Sequence, residues 1–233
     1  MIAKTEFDLM QKIRHKNFLK VLDFSVDSPL SVYMVVEKMK ASLHDELFPN
    51  CKISPELKDT IMLETSLGLE YLHKKSYIHG NFNPHHILLP IDKKSPPKIC
   101  DFKCMRRTTE DVEQMAGQET EIPRSRDARW LAPEVVKSDG DVKPTVFSDI
   151  FSYCATMAEL FSETAFFRTD DSGDCMKQVK FFHTHKHVPD ALKNLGGAEL
   201  SKYYHFVSRG LNHDAHSRSS MSELAKLAKH LKQ

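Results

Sequence analysis

The sequence predicts an α+β chain in which a short helix and a two-stranded ribbon precede a mainly helical remainder. Three observations carry that expectation. Between residues 6 and 14, Phe7, Met10 and Ile13 recur three apart, which is a helical stripe. Two β-rich runs, 18–24 and 31–36, flank the turn signal Asp27-Ser28-Pro29. From Ser54 onward the apolar spacing becomes helical and stays so over most of the chain.

In chain order, His15-Lys16-Asn17 breaks the first helix, and the two β-rich runs are expected to pair antiparallel as one very small sheet. Ser54 suits an N-cap and Pro55 the first helical position, and Leu57, Ile61, Leu69 and Leu72 fall on one face of a long helix. Two short apolar runs, 87–89 and 98–100, read as a hairpin around the polar, proline-containing stretch 90–97, and a polar loop is expected over 106–129. Later helices are expected over 149–161, with Ile150, Cys154, Met157 and Phe161 on one side, and over 222–231, with a loop at 168–174. Apolar stripes at this spacing are ordinarily core faces. His183, His185 and His187 alternate without a four-ligand pattern and read as a solvated loop. No internal repeat or low-complexity segment is visible.

A chain of 233 residues can bury a sizeable core without disulfides or metals. Its 33 Lys and Arg nearly balance 32 Asp and Glu, which gives no electrostatic case for nucleic acid or a membrane surface. Five irregularly spaced cysteines suit thiols in a reducing compartment, and no stretch has the length of a signal core or membrane span. The expectation is a cytoplasmic protein with protein partners, no nucleic-acid partner and no membrane span.

Three spaced motifs sharpen this: Tyr77-Ile78-His79-Gly80-Asn81-Phe82-Asn83-Pro84-His85-His86-Ile87-Leu88-Leu89, Asp101-Phe102-Lys103, and Trp130-Leu131-Ala132-Pro133-Glu134. They resemble, in order, the catalytic loop (H-R-D-x-x-x-x-N), the D-F-G metal motif and the A-P-E motif of protein kinases. Ser148-Asp149-Ile150-Phe151-Ser152 is similar to the start of that family's central helix, and 211–218 is similar to its late L-x-x-D-x-x-x-R segment. The aromatic before A-P-E is in the style of tyrosine kinases and tyrosine-kinase-like enzymes. The resemblance implies one kinase-like domain over 1–233, with a partial N-lobe and hinge at 1–39 and a C-lobe at 40–233. The strands bearing the Gly-rich loop and the ATP lysine would lie before Met1.

The departures from the family pattern bear on chemistry, because phosphoryl transfer needs base, metals and phosphate clamp together. The family's base position holds Asn81, a neutral amide, so general-base help worth about 10²–10⁴ in rate is lost. The second-metal position holds His86, a poor ligand for a hard cation, and Asn83 replaces the loop lysine. Asp101 keeps the main metal position and is either a Mg²⁺ ligand or a structural carboxylate, while Lys103 replaces the glycine after it. Gly80 replaces the arginine that receives loop phosphates, so phosphorylation of Thr108, Thr109, Thr120 or Ser125 is not expected to activate the chain.

By the same resemblance, Met10, Val21, His79 and Phe102 form the hydrophobic column between lobes, and Leu88, Glu37 and Met39 line the adenine pocket. Asp149 ties the catalytic loop, and Glu134 pairs with Arg218. Glu6 matches the helix glutamate that meets the ATP lysine but, without that strand in the chain, reads as a solvated residue. The leading expectation is a catalytically inactive pseudokinase that scaffolds or regulates a kinase, a substrate or an oligomer mate, with ATP and Mg²⁺ as possible cofactors only. Two alternatives stand beside it. One is part of a longer protein kinase with residual ATP binding or slow transfer to Ser, Thr or Tyr, and the other is a truncated product with an exposed sheet edge.

Overall fold

Helix α1 (Ile2–Lys12) turns Glu6 and Met10 inward, with Ile13 buried just after it. The computed structural model describes residues 2–28, 31–92, 94–108, 125–137, 143–168 and 175–232. Thr109, Thr120, Pro29 and the loop at 169–174 lie outside the described residues. Strand β1 (Val21–Ser28) pairs antiparallel with β2 (Ser31–Val36), from Val21 opposite Val36 to Ser28 opposite Ser31. The first strand starts three residues later than the apolar run suggests. Phe18 instead bridges to Ile99 and the Leu19 amide donates to the Ile99 carbonyl at 2.9 Å, so the beginning of that run pairs with a different strand.

Next come β3 (Ala41–Ser42) and α2 (Leu43–Leu47), whose first turn is capped by the Ser42 hydroxyl accepting from the Asp45 amide. Helix α3 (Pro55–Lys74) begins as the Ser54-Pro55 signal implies, with the Ser54 hydroxyl accepting from the Leu57 amide and Ile61, Leu69 and Leu72 fully buried. Strand β4 (Tyr77–Ile78) leads into the loop of interest, which returns through a 3₁₀ turn (Pro84–His86) to β5 (Ile87–Leu89). Strand β6 (Lys98–Ile99) pairs antiparallel with β5, and β5 with β3, as one three-stranded sheet. The stretch read as a polar loop over 106–129 carries regular structure where it is described. Its start is β7 (Arg106–Arg107), paired with β4, and its end is a 3₁₀ segment (Ser125–Trp130).

Helix α4 (Pro133–Lys137) precedes α5 (Val146–Ser162), which opens on a reciprocal Thr145–Ser148 capping box. Every residue of α5 from Ser148 to Phe161 is buried, the signature of a helix enclosed on all sides. The rest is α6 (Cys175–Thr184), α7 (Asp190–Asn194), α8 (Ser201–Ser208) and α9 (Met221–Leu231), the last packed along α3. His183 corrects the solvated-loop expectation. It lies in α6 on the buried face shared with Val179, its Nε2 stands 3.2 Å from the Leu131 carbonyl, and burial pushes its pKa down to about 3. A neutral ring donating to that carbonyl is a core histidine; His185 and His187 are exposed.

One hydrophobic cluster runs from Met10 and Phe18 through Phe102, Trp130 and Tyr153 to Leu224, so ribbon, loops and helices share a core. The architecture is the mostly helical α+β fold that the sequence implies. No described helix is long and apolar enough to cross a membrane.

Candidate functional site

The site is built on the loop between β4 and β5, and its geometry starts with two backbone requirements. Gly80 has φ of 80°, a conformation that side chains rarely adopt, and a Cβ there would meet the Cys104 carbonyl oxygen at 2.6 Å. The family arginine position is therefore closed to any side chain in this backbone. The second requirement is met by Asp149, 1% exposed near the start of α5. Its Oδ2 accepts from the His79 amide at 2.8 Å and its Oδ1 from the Gly80 amide at 2.9 Å, while His73 Nε2 lies 3.0 Å from Oδ2. A central helix thus holds the loop through two buried backbone donors.

His79 itself is kept neutral: complete burial pushes its pKa down. Its Nε2 faces the Cys100 carbonyl at 3.0 Å and its Nδ1 accepts from the Asn81 amide at 3.3 Å, which fixes the proton on Nε2. The ring stands edge-on to Phe102, centroids 5.8 Å apart, and Phe102 packs against Phe18 at 5.4 Å. Met10 and Val21 are buried in the same core.

Asn81 is buried and fully engaged. Its Nδ2 donates to Asp127 Oδ2 at 3.2 Å, and its backbone carbonyl lies 2.8 Å from His86 Nδ1. Asn83 donates to the same carbonyl at 3.2 Å, and its own Oδ1 caps the 3₁₀ turn by accepting from the His85 amide at 2.9 Å. His86 then reaches across to the next motif: its Nε2 is 2.8 Å from Asp101 Oδ2. Each ring nitrogen has an oxygen acceptor at 2.8 Å, with the Asn83 amide nitrogen also 3.2 Å from Nδ1, an arrangement that favours the doubly protonated, cationic ring. Burial opposes that charge, but the hydrogen bond and negative charge of Asp101 outweigh it and raise the His86 pKa. Burial likewise opposes the Asp101 carboxylate, yet His86, with help from His79 and Lys103, holds it well below the usual carboxylate range.

Asp101 has φ of 65°, a left-handed conformation that aspartate tolerates better than most residues. The turn it makes brings the Phe102 amide to Glu6 Oε1 at 3.1 Å. Glu6 is only 7% exposed, so the expectation of a solvated residue is wrong. The fold carries α1 against this turn and gives the carboxylate a backbone donor, a contact between residues 96 apart.

The residues expected around adenine lie along one edge. Glu37 Oε1 accepts from the Lys20 amide at 2.8 Å and pairs with Lys98 Nζ at 3.3 Å, so its carboxylate is engaged in the fold. The Lys40 amide donates to the Leu89 carbonyl, which sets the Met39 segment beside the strand carrying Leu88; both side chains are half-buried. Farther away, Arg218 and Glu134 form a bidentate pair at 2.7 and 2.8 Å, and the guanidinium also donates to the carbonyls of Asn212 and Phe147.

Sequence reasoning missed Asp127. A lone acid between Arg126 and Arg129 has the look of a solvated charge, yet it is 3% exposed and 3.2 Å from Asn81. Its position a few residues before the A-P-E stretch was the available signal. Taken together, the polar groups at the phosphotransfer positions bind one another: Asn81 to Asp127, His86 to Asn81 and Asp101, Asn83 to Asn81.

A tied loop, a glutamate–arginine anchor and a D-F turn on an enclosed central helix define the class of phosphotransferase-fold domains. The comparisons give the family. The protein kinase domain model matches residues 1–228, and the chain belongs to that family. Among its relatives are Retinal guanylyl cyclase 2 of Mus musculus, 26% identical over 68% of this chain and 14% of that protein, and the mitogen-activated protein kinase MKC1 of Candida albicans, 27% identical over 76% and 36%. Serine/threonine-protein kinase STY17 of Arabidopsis thaliana is 32% identical over 67% of this chain and 26% of that protein. The chain spans well under half the length of each of these relatives.

Proposed function

We propose that this kinase domain works without phosphoryl transfer, as a pseudokinase that scaffolds or regulates protein partners in the cytoplasm. The observation that carries the reading is Asn81, whose amide nitrogen donates into Asp127 at the position where the family has its proton acceptor. An amide has no basic site near pH 7, and this one is locked by a second residue, so general-base help of about 10²–10⁴ is unavailable. The mouse relative, named a guanylyl cyclase, supports the reading in a limited way: the matched stretch occurs in a protein named for a different chemistry. Leu22, Val26, Tyr33 and Val35 on the ribbon are at least half exposed, apolar area of the kind that partners cover.

The test is single-turnover transfer from Mg²⁺-ATP to a mixed Ser, Thr and Tyr peptide pool. The expected result is no transfer above the enzyme-free rate; transfer near the about 1–100 s⁻¹ of ordinary kinases would overturn the proposal. One observation favours a second reading, slow phosphotransfer as part of a longer protein kinase with residual ATP binding: Asp127 places a carboxylate beside Asn81. Slow transfer that is lost in a folded Asp127→Asn variant would select it.

A further inference from the structure

We propose that His86 takes the place of the divalent cation, so that this site neutralises Asp101 with a protein cation and excludes Mg²⁺. The family implies Mg²⁺ at Asp101 and at the position now held by His86, and the residues present do not fit that ion. His86 Nε2 lies 2.8 Å from Asp101 Oδ2, one of the two oxygens the carboxylate could offer a metal. The other ring nitrogen, Nδ1, lies 2.8 Å from the Asn81 carbonyl. Asn83 Nδ2 lies 3.2 Å from that same nitrogen but has its two hydrogens engaged by the Asn81 carbonyl and Asn81 Oδ1, so each ring nitrogen has an oxygen to donate to and neither offers a lone pair to a metal.

A cation bound to Oδ2 at the about 2.0–2.1 Å typical of Mg²⁺ would compete with the imidazolium proton for the same lone pairs and face a like charge. Asp101 Oδ1 is buried and has no hydrogen-bond partner, so one oxygen remains for a metal. Waters and phosphates ordinarily complete the octahedron around Mg²⁺, so what opposes the ion here is the cationic ring already bound to the same carboxylate. Among the described residues, no group of three His, Cys, Asp or Glu side chains is placed to hold a metal ion. The side-chain oxygens of Asn81 and Asn83, the neighbouring amides, accept hydrogen bonds inside the loop. The exchange leaves the local charge balanced without any bound ion. It also stands apart from the partner-binding proposal: a chain with no partner would still exclude the cation.

The experiment reads the metal directly. Mn²⁺, a paramagnetic stand-in for Mg²⁺, is titrated into the folded chain while the backbone amide resonances of residues 101–104 are followed by NMR. Mg²⁺-dependent thermal unfolding is recorded in parallel, since a ligand that binds only the native state raises its stability. In the natural sequence the expected result is no selective broadening at 101–104 and no Mg²⁺-dependent rise in melting temperature. In His86→Asn, which supplies a hard carboxamide oxygen and frees Asp101 Oδ2, selective broadening and a Mg²⁺-dependent rise are expected; His86→Gln serves if the first variant does not fold. Selective broadening in the natural sequence, or its absence in a folded variant, would overturn the proposal. If neither variant folds, the natural sequence decides alone, with broadening against the proposal and none in its favour.

Discussion

Replacing Arg218 with alanine should lower the stability of the fold by about 3–5 kcal/mol, the usual consequence of breaking a buried ion pair. The loss has several parts. Arg218 is completely enclosed and makes a two-pronged pair with Glu134, which is a quarter exposed and can partly rehydrate when its partner goes. The larger damage is on the other side, where the carbonyls of Asn212 and Phe147 lose their donor. The guanidinium also lies over the Phe151 ring, 5.2 Å from its centre, and truncation would open space against the enclosed helix α5. Arg218→Lys should rescue little, since an ammonium cannot reproduce the fork. Urea unfolding checks this: the midpoint should fall with the slope unchanged, and a loss below about 1 kcal/mol would mean that the pair is not an anchor.

Asp149→Ala should be comparably severe and more local in its signature. Removing the carboxylate leaves the His79 and Gly80 amides without acceptors inside the protein, at about 1–3 kcal/mol each, or about 2–6 kcal/mol together. No water-exposed alternative exists for donors on a buried loop. Asp149→Asn keeps one carbonyl oxygen and should lose about half as much. Hydrogen exchange distinguishes the account from a generic core defect, because protection at the His79 and Gly80 amides should fall before protection in α3 or α5. Equal loss everywhere would contradict it.

Much of this framework was legible from residues alone. Ser54-Pro55 marks the start of α3, the run 31–36 is β2, and the three spaced motifs indicate the family and the loop positions to inspect. What the sequence could not supply were contacts that only folding creates. Phe18 and Leu19 are as apolar as a strand, but their partner is Ile99, far along the chain, and β1 begins only at Val21. Glu6 has the profile of a surface helix residue until α1 meets the Phe102 amide. Asp127 and Asn81 are 46 residues apart, and nothing in either neighbourhood announces the other. His86 could be read as a poor metal ligand, but its turn onto Asp101 depends on the 3₁₀ geometry of Pro84–His86 and on the left-handed backbone of Asp101.

These unannounced contacts share a theme. Positions that serve chemistry in the family are here occupied by groups that bind one another in a buried polar network. Such a network stabilises a fold only when its members are paired, and here the pairing runs from Asp127 through Asn81 and His86 to Asp101. Its charged link carries a pH dependence with a definite sign. Because Asp101 raises the His86 pKa above 6.5, the folded state holds its proton where the unfolded state releases it. That contribution is complete below pH 6.5 and declines as pH rises through the folded pKa. The depressed pKa of Asp101 acts at the acid end, where its contribution is lost as pH falls below the ordinary carboxylate range.

The most direct measurement is therefore the NMR titration of the His86 ring nitrogens. The account predicts a midpoint above 6.5 for His86, with both nitrogens protonated below it, and a fall toward or below 6.5 in Asp101→Asn. A midpoint at or below 6.5 in the natural sequence, with one nitrogen bare at neutral pH, would contradict the claim that the site is closed by its own ion pair.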